Sequence, residues 1–100
     1  MAGPEAHQKV SICLMKGEDA EAAVESVRET QPDVSAVDEG TYWVLRSPGE
    51  IVLDVNDIGE RLGRELPVHE FLVSFASYAG RAEVDGDVIR VTSDMLQLPA

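Results

Sequence analysis

One hundred residues fit a single domain, and with 44% hydrophobic and 27% charged residues the chain can bury a core without disulfides or a structural metal. Nineteen acids against eight bases give a formal net charge of −11, which repels phosphate backbones and anionic lipid and so excludes nucleic acid and membrane surfaces as expected partners. No apolar run approaches the ~20 residues of a membrane span, residues 1–8 lack a signal pattern, and a cytoplasmic protein is expected.

Residues 1–9 are polar and small and read as a flexible N-terminal tail. Val10–Met15 is short and rich in branched apolar residues, which predicts a strand. It contains Cys13, the only cysteine, expected as a core thiol. Glu18 and Asp19 suit the start of a helix, where their charge opposes the macrodipole. Ala20, Ala23, Val24 and Val27 then form its buried stripe, and Pro32 stops it. On the same helix Glu21, Glu25 and Glu29 recur at every fourth position, either as a solvated face or as a docking face for a basic partner.

Val34–Asp38 and Thr41–Arg46 predict two strands joined by the turn Asp38-Glu39-Gly40. Tyr42 and Trp43 must point to opposite sides of the second, one to the core and one outward. Ser47-Pro48-Gly49 marks a tight turn. Glu50–Val55 predicts another strand, and Asn56 or Asp57 caps a second helix carrying Ile58, Leu62 and Leu66 on one face. Gly63 and Pro67 bracket its end. Phe71–Tyr78 predicts a long strand, and Arg81–Val84 with Val88–Thr92 a hairpin about Asp85-Gly86-Asp87. The pattern strand-helix-strand-strand occurs twice. It predicts an α+β domain at 10–92, built from two βαββ subdomains packed into one compact core, with a C-terminal tail at 93–100.

Catalytic patterns are missing. There is no GxGxxG, GxxxxGK[ST] or GxSxG. His69-Glu70 begins like a zinc-protease motif, but Val73 stands where the second histidine belongs. Neither His7 nor His69 follows a glutamate at the Glu-x-x-His spacing of a carboxylate-bridged diiron centre. Asp85 and Asp87 lack the rest of a calcium loop. No metal or organic cofactor is expected.

The run from Ile58 to Gly80 is the most specific part of the chain. A helix ends in Leu62-Gly63-Arg64, a glutamate follows at Glu70, and a strand ends in Ala76-Ser77-Tyr78-Ala79-Gly80. This resembles the MmoB/DmpM family, the effector components of soluble methane, phenol, toluene and alkene monooxygenases, and looks most like the toluene and alkene type. The earlier order of strand, acidic helix, Pro32, hairpin and Pro48-Gly49-Glu50 is similar too, so the resemblance covers most of residues 9–92. It implies a cofactor-free coupling protein that is not itself an enzyme. Its partner would be the diiron hydroxylase, which it binds near the metal site to tune the active site and improve the coupling of oxygen activation to hydroxylation. The matched positions Arg64, Glu70, Ser77, Tyr78 and Gly80 are candidates for contact with the hydroxylase, within a docking face at Phe71–Gly80 and the adjoining helix end. Arg64 and Glu70 are also expected to pair with each other. Two other readings compete: a stand-alone small-molecule-binding regulatory domain, and a small enzyme using His69 and Glu70.

Overall fold

The computed structural model describes residues 10–93. The tails expected at 1–9 and 93–100 lie outside the described residues, except Ser93, which is buried and donates its N–H to Gly49 O at 3.2 Å.

Strand β1 (Val10–Met15) alternates strictly: Val10, Ile12 and Leu14 are fully buried, and the residues between them face the other side. That alternation corrects the expectation for Cys13, which is half-buried on the outer face rather than in the core. Helix α1 (Glu18–Thr30) follows, with Glu18, Asp19 and Glu21 in its first turn and Arg28 in its last, as the macrodipole favours. Its predicted stripe is buried, together with Ala22 and Ser26. β2 (Ser35–Asp38) and β3 (Tyr42–Ser47) form the expected hairpin. Asp38 shapes its turn by accepting the Gly40 N–H at 2.8 Å. Trp43 takes the inner side of β3 and Tyr42 the outer.

β4 (Glu50–Asp54) runs directly into α2 (Val55–Leu62), which is capped two to three residues earlier than expected. The cap is Asp54, whose carboxylate accepts the Asp57 N–H at 3.2 Å; Asn56 and Asp57 are already helical. Gly63 ends the helix in the left-handed conformation at φ 77°, with its N–H on Glu60 O and the Arg64 N–H on Gly59 O.

The long strand expected at Phe71–Tyr78 is the one element that differs in kind. Its first part is a short helix, α3 (Val68–Phe71), and a 3-10 turn (Leu72–Ser74); only Phe75–Ala79 is strand, β5. Pro67, fixed at φ −68°, starts the helix, and its carbonyl accepts the N–H groups of both Glu70 and Phe71 at 3.1 Å. Phe71 is fully buried while Leu72 and Val73 are exposed, a pattern without the alternation a strand needs. β6 (Arg81–Asp85) and β7 (Val88–Thr92) close the chain as the expected hairpin, with Gly86 at φ 62°.

The strands form two antiparallel sheets, β2-β3-β1-β5 and β4-β7-β6. This is the α+β class expected, but the second half holds one strand more than a βαββ unit, and that strand, β5, joins the sheet of the first. The chain crosses between sheets at Gly80, whose φ is 125°. A Cβ there would stand 2.6 Å from Thr92 O, so only glycine lets the crossing pack against β7. One core runs through both sheets and α1, α2 and α3, from Val10, Ile12 and Leu14 through Val27 and Leu45 to Ile58, Phe71, Ile89 and Val91.

Candidate docking surface

Arg64 projects from the end of α2 and makes two ion pairs, to Asp19 of α1 at 3.0 Å and to Glu70 of α3 at 3.1 Å. The pairing expected between Arg64 and Glu70 is present, and Asp19 makes it a three-way tie. Gly59 makes this connection possible. A Cβ on it would lie 2.8 Å from Arg64 O and 3.2 Å from Leu66 Cβ, so the chain after α2 folds back onto a helix turn that has no side chain. Sequence reasoning missed both Asp19 and Gly59. Asp19 is 45 residues away from Arg64 and carries no local signal.

Ser77 and Tyr78 are neighbours in β5 on opposite faces, and Gly80 lies just past its end. Ser77 stands opposite Cys13 on the outer side of the sheet, and Tyr78 opposite Ile12 on the inner side. β5 is the last strand of its sheet, so Tyr78 remains 51% exposed despite facing inward. It ends a chain of edge-to-face aromatic contacts from the core: Phe71 to Phe75 at 6.0 Å between centroids, Phe75 to Tyr78 at 6.3 Å. The strand opposite Cys13 and Leu14 carries a bulge, with Ala76 as the extra residue. Leu72 and Val73 add exposed apolar surface just before it. The structure thus places Arg64 and Glu70 at one location and Ser77, Tyr78 and Gly80 along another, all within the segment that follows α2.

The acidic stripe of α1 finds its cation inside the chain. Arg61 of α2 binds Glu29 at 2.9 Å, Glu25 at 3.3 Å and Asp57 at 2.9 Å. Hydrogen bonding to Arg61 holds the Glu29 carboxyl below its ordinary range. Asp57 is lowered too, first by the Ser26 hydroxyl donating at 2.6 Å and then by Arg61. Glu21, exposed on α1, accepts the Trp43 indole N–H at 2.9 Å, while Lys16 and Arg28 lie 5.2 and 5.4 Å from the ring centre. The Asp57–Arg61 spacing of four is readable as a helix pair; the reach of Arg61 across to α1 is not.

The clefts favour neither competing reading. One of about 670 Å³ is lined by Ala22, Val24, Trp43 and Leu62 and by six charged residues, of which Glu25, Glu29 and Arg61 pair with each other and Glu21 with Trp43. His69 is exposed, and the adjacent Glu70 is held by Arg64. Among the described residues no helix is long and apolar enough to cross a membrane.

Three similarities agree with this architecture. Methane monooxygenase regulatory protein B of Methylococcus capsulatus is 30% identical over 95 residues, spanning 89% of this chain and 67% of that protein. The solved structure of the soluble methane monooxygenase regulatory protein B superposes with a TM-score of 0.69 at 30% identity, covering 90% of this chain and 69% of that one. A chain of a phenol hydroxylase–regulatory protein complex gives a TM-score of 0.75 at 25% identity, covering 85% and 98%. Residues 8–92 match the MmoB/DmpM family over nearly the whole described fold, and the chain belongs to that family.

Proposed function

We propose that this chain is the effector, or regulatory, component of a soluble multicomponent monooxygenase, acting in the cytoplasm on its diiron hydroxylase. The observation that carries the reading is family membership across residues 8–92, joined to a fold shared with a regulatory protein solved in complex with phenol hydroxylase. The effector domain is residues 10–92. It supplies no chemistry of its own. It binds one conformation of the hydroxylase more tightly than another, and that difference alone moves the equilibrium. A difference of ~1–3 kcal/mol changes the populations 5- to 150-fold.

Within the domain, Arg64 and Glu70 fix the connection between α2 and α3 and so present the strand that follows. Ser77 and Tyr78 touch the hydroxylase, and Gly80 sets the direction in which β5 leaves the surface. The test is reconstitution of hydroxylase, reductase and electron carrier with increasing amounts of the chain. Product formed per electron consumed is expected to rise and saturate near one effector per active site. No change in rate or coupling with a competent hydroxylase overturns the reading.

A further inference from the structure

The outer face of the four-stranded sheet has no partner among the described residues, and its composition is unlike the rest of the molecule. Cross-strand pairs share a face, so the register orders its side chains into rows. Val37, Val44, Cys13 and Ser77 cross all four strands in one row; Ser35, Arg46, Ser11 and Ala79 form the next; Tyr42 and Met15 begin a third. Nine of these ten side chains are uncharged, in a chain where 27% of residues carry charge. Val44 is 4% exposed but stands outside the contiguous core cluster. Met15, Val37 and Tyr42 around it are exposed. The tenth residue is Arg46. Among the described residues it is the one cation with neither an ion pair nor a hydrogen bond, although the chain holds 19 acids.

We propose that this face lies against the hydroxylase, with Val37, Val44 and Cys13 covered by apolar or small side chains and Arg46 paired with a hydroxylase carboxylate. The inference rests on the effector reading above and extends its docking surface from β5 across β1, β3 and β2. Size and charge select this occupant over a second copy. Four strands about 4.8 Å apart and about five residues long give a footprint of about 300 Å². A stable interface takes about 800 Å² per partner. Two copies meeting face to face therefore fall short, and each brings a net charge of −11. A larger partner reaches the rest of that area by continuing over the edge of the sheet to Tyr78, Leu72 and Val73, the exposed side chains that flank it.

The experiment measures hydroxylase affinity for the full chain, for Val37→Asp and Arg46→Glu, and for Val84→Asp on the other sheet as the control for an exposed valine. Thermal melts identify any variant that is poorly folded. Alkylation of Cys13, followed by mass spectrometry on the unmutated protein, gives a readout that needs no substitution. Val37→Asp and Arg46→Glu are each expected to weaken binding at least tenfold, with Val84→Asp within twofold. Saturating hydroxylase is expected to slow Cys13 alkylation at least tenfold. Normal activation of the hydroxylase by both variants, with Cys13 alkylated at its free rate in the complex, would place docking elsewhere and leave the effector reading standing. Slow alkylation in the free protein at every concentration would show the face covered by the chain's own ends. Slowing that grows with the chain's own concentration would show self-association. Either overturns the proposal, and failure of the unmutated chain to bind a competent hydroxylase sinks both readings together.

Discussion

Single residues here act mostly by where they let the backbone go. At Gly80 a methyl group meets Thr92 O at 2.6 Å and the backbone sits at φ 125°. Gly80→Ala is therefore expected to destabilise by about 2 kcal/mol or more, from steric overlap and left-handed strain together; urea melts of the variant check it. Asp57 behaves through its proton. Folded, its carboxyl is held below the ordinary value of 3.8 by Ser26 and Arg61. Between the lowered and the ordinary value the unfolded chain binds the extra proton, so the stabilisation is present above the ordinary value and disappears as pH falls through the lowered one. Below about pH 4 the melting temperature should drop, and Asp57→Asn should flatten that acid limb while lowering stability at neutral pH. The sequence shows Arg64 and Glu70 as a pair and Gly63 as a helix end, because those signals are local. Asp19, Gly59 and the bond from Trp43 to Glu21 depend on tertiary approach, and no spacing in the sequence encodes it.

At the scale of elements, the edges of the sheets differ in how they are closed. Gln31, just past the end of α1, hydrogen-bonds both main-chain groups of Val52 on β4, donating to its carbonyl at 2.7 Å and accepting its N–H at 2.9 Å. Arg28 donates to Ala36 O on β2 at 3.3 Å. β6 carries Arg81, Glu83 and Asp85 in five residues. β5 is a bulged strand of uncharged residues, which fits the interface role proposed for it. Gln31→Ala is expected to cost about 1–2 kcal/mol by leaving the Val52 groups without their side-chain partner, measurable as a lowered melting temperature and faster exchange of the Val52 amide. Most elements were legible from period and punctuation. The stretch from Phe71 to Ser74 was not: its apolar content suggests a strand, whereas it ends a short helix begun after Pro67 and forms a 3-10 turn.

Over the whole molecule, fold class and family were readable because two halves with matching patterns and a specific run at 58–80 point the same way. Only part of the proposed docking surface was readable in the sequence. β5 could be chosen from its motif, but the face it belongs to becomes visible only once β5 is seen beside β1 rather than beside β6. That placement joins residues from both halves into one continuous surface. If the proposed face docks, the hydroxylase is expected to read the relation between the halves, through the crossing at Gly80, and not either half alone.

Trp43 is the only tryptophan, and it lies on the side of β3 facing away from Val44 and Tyr42. Its indole is shielded, bonded to Glu21 and flanked by two cations. Its fluorescence is therefore expected to report the integrity of the interior even when a partner covers the opposite side of the same strand, as proposed above. Emission that stays constant through a hydroxylase titration and shifts only on unfolding would give an optical record of folding in which binding is silent.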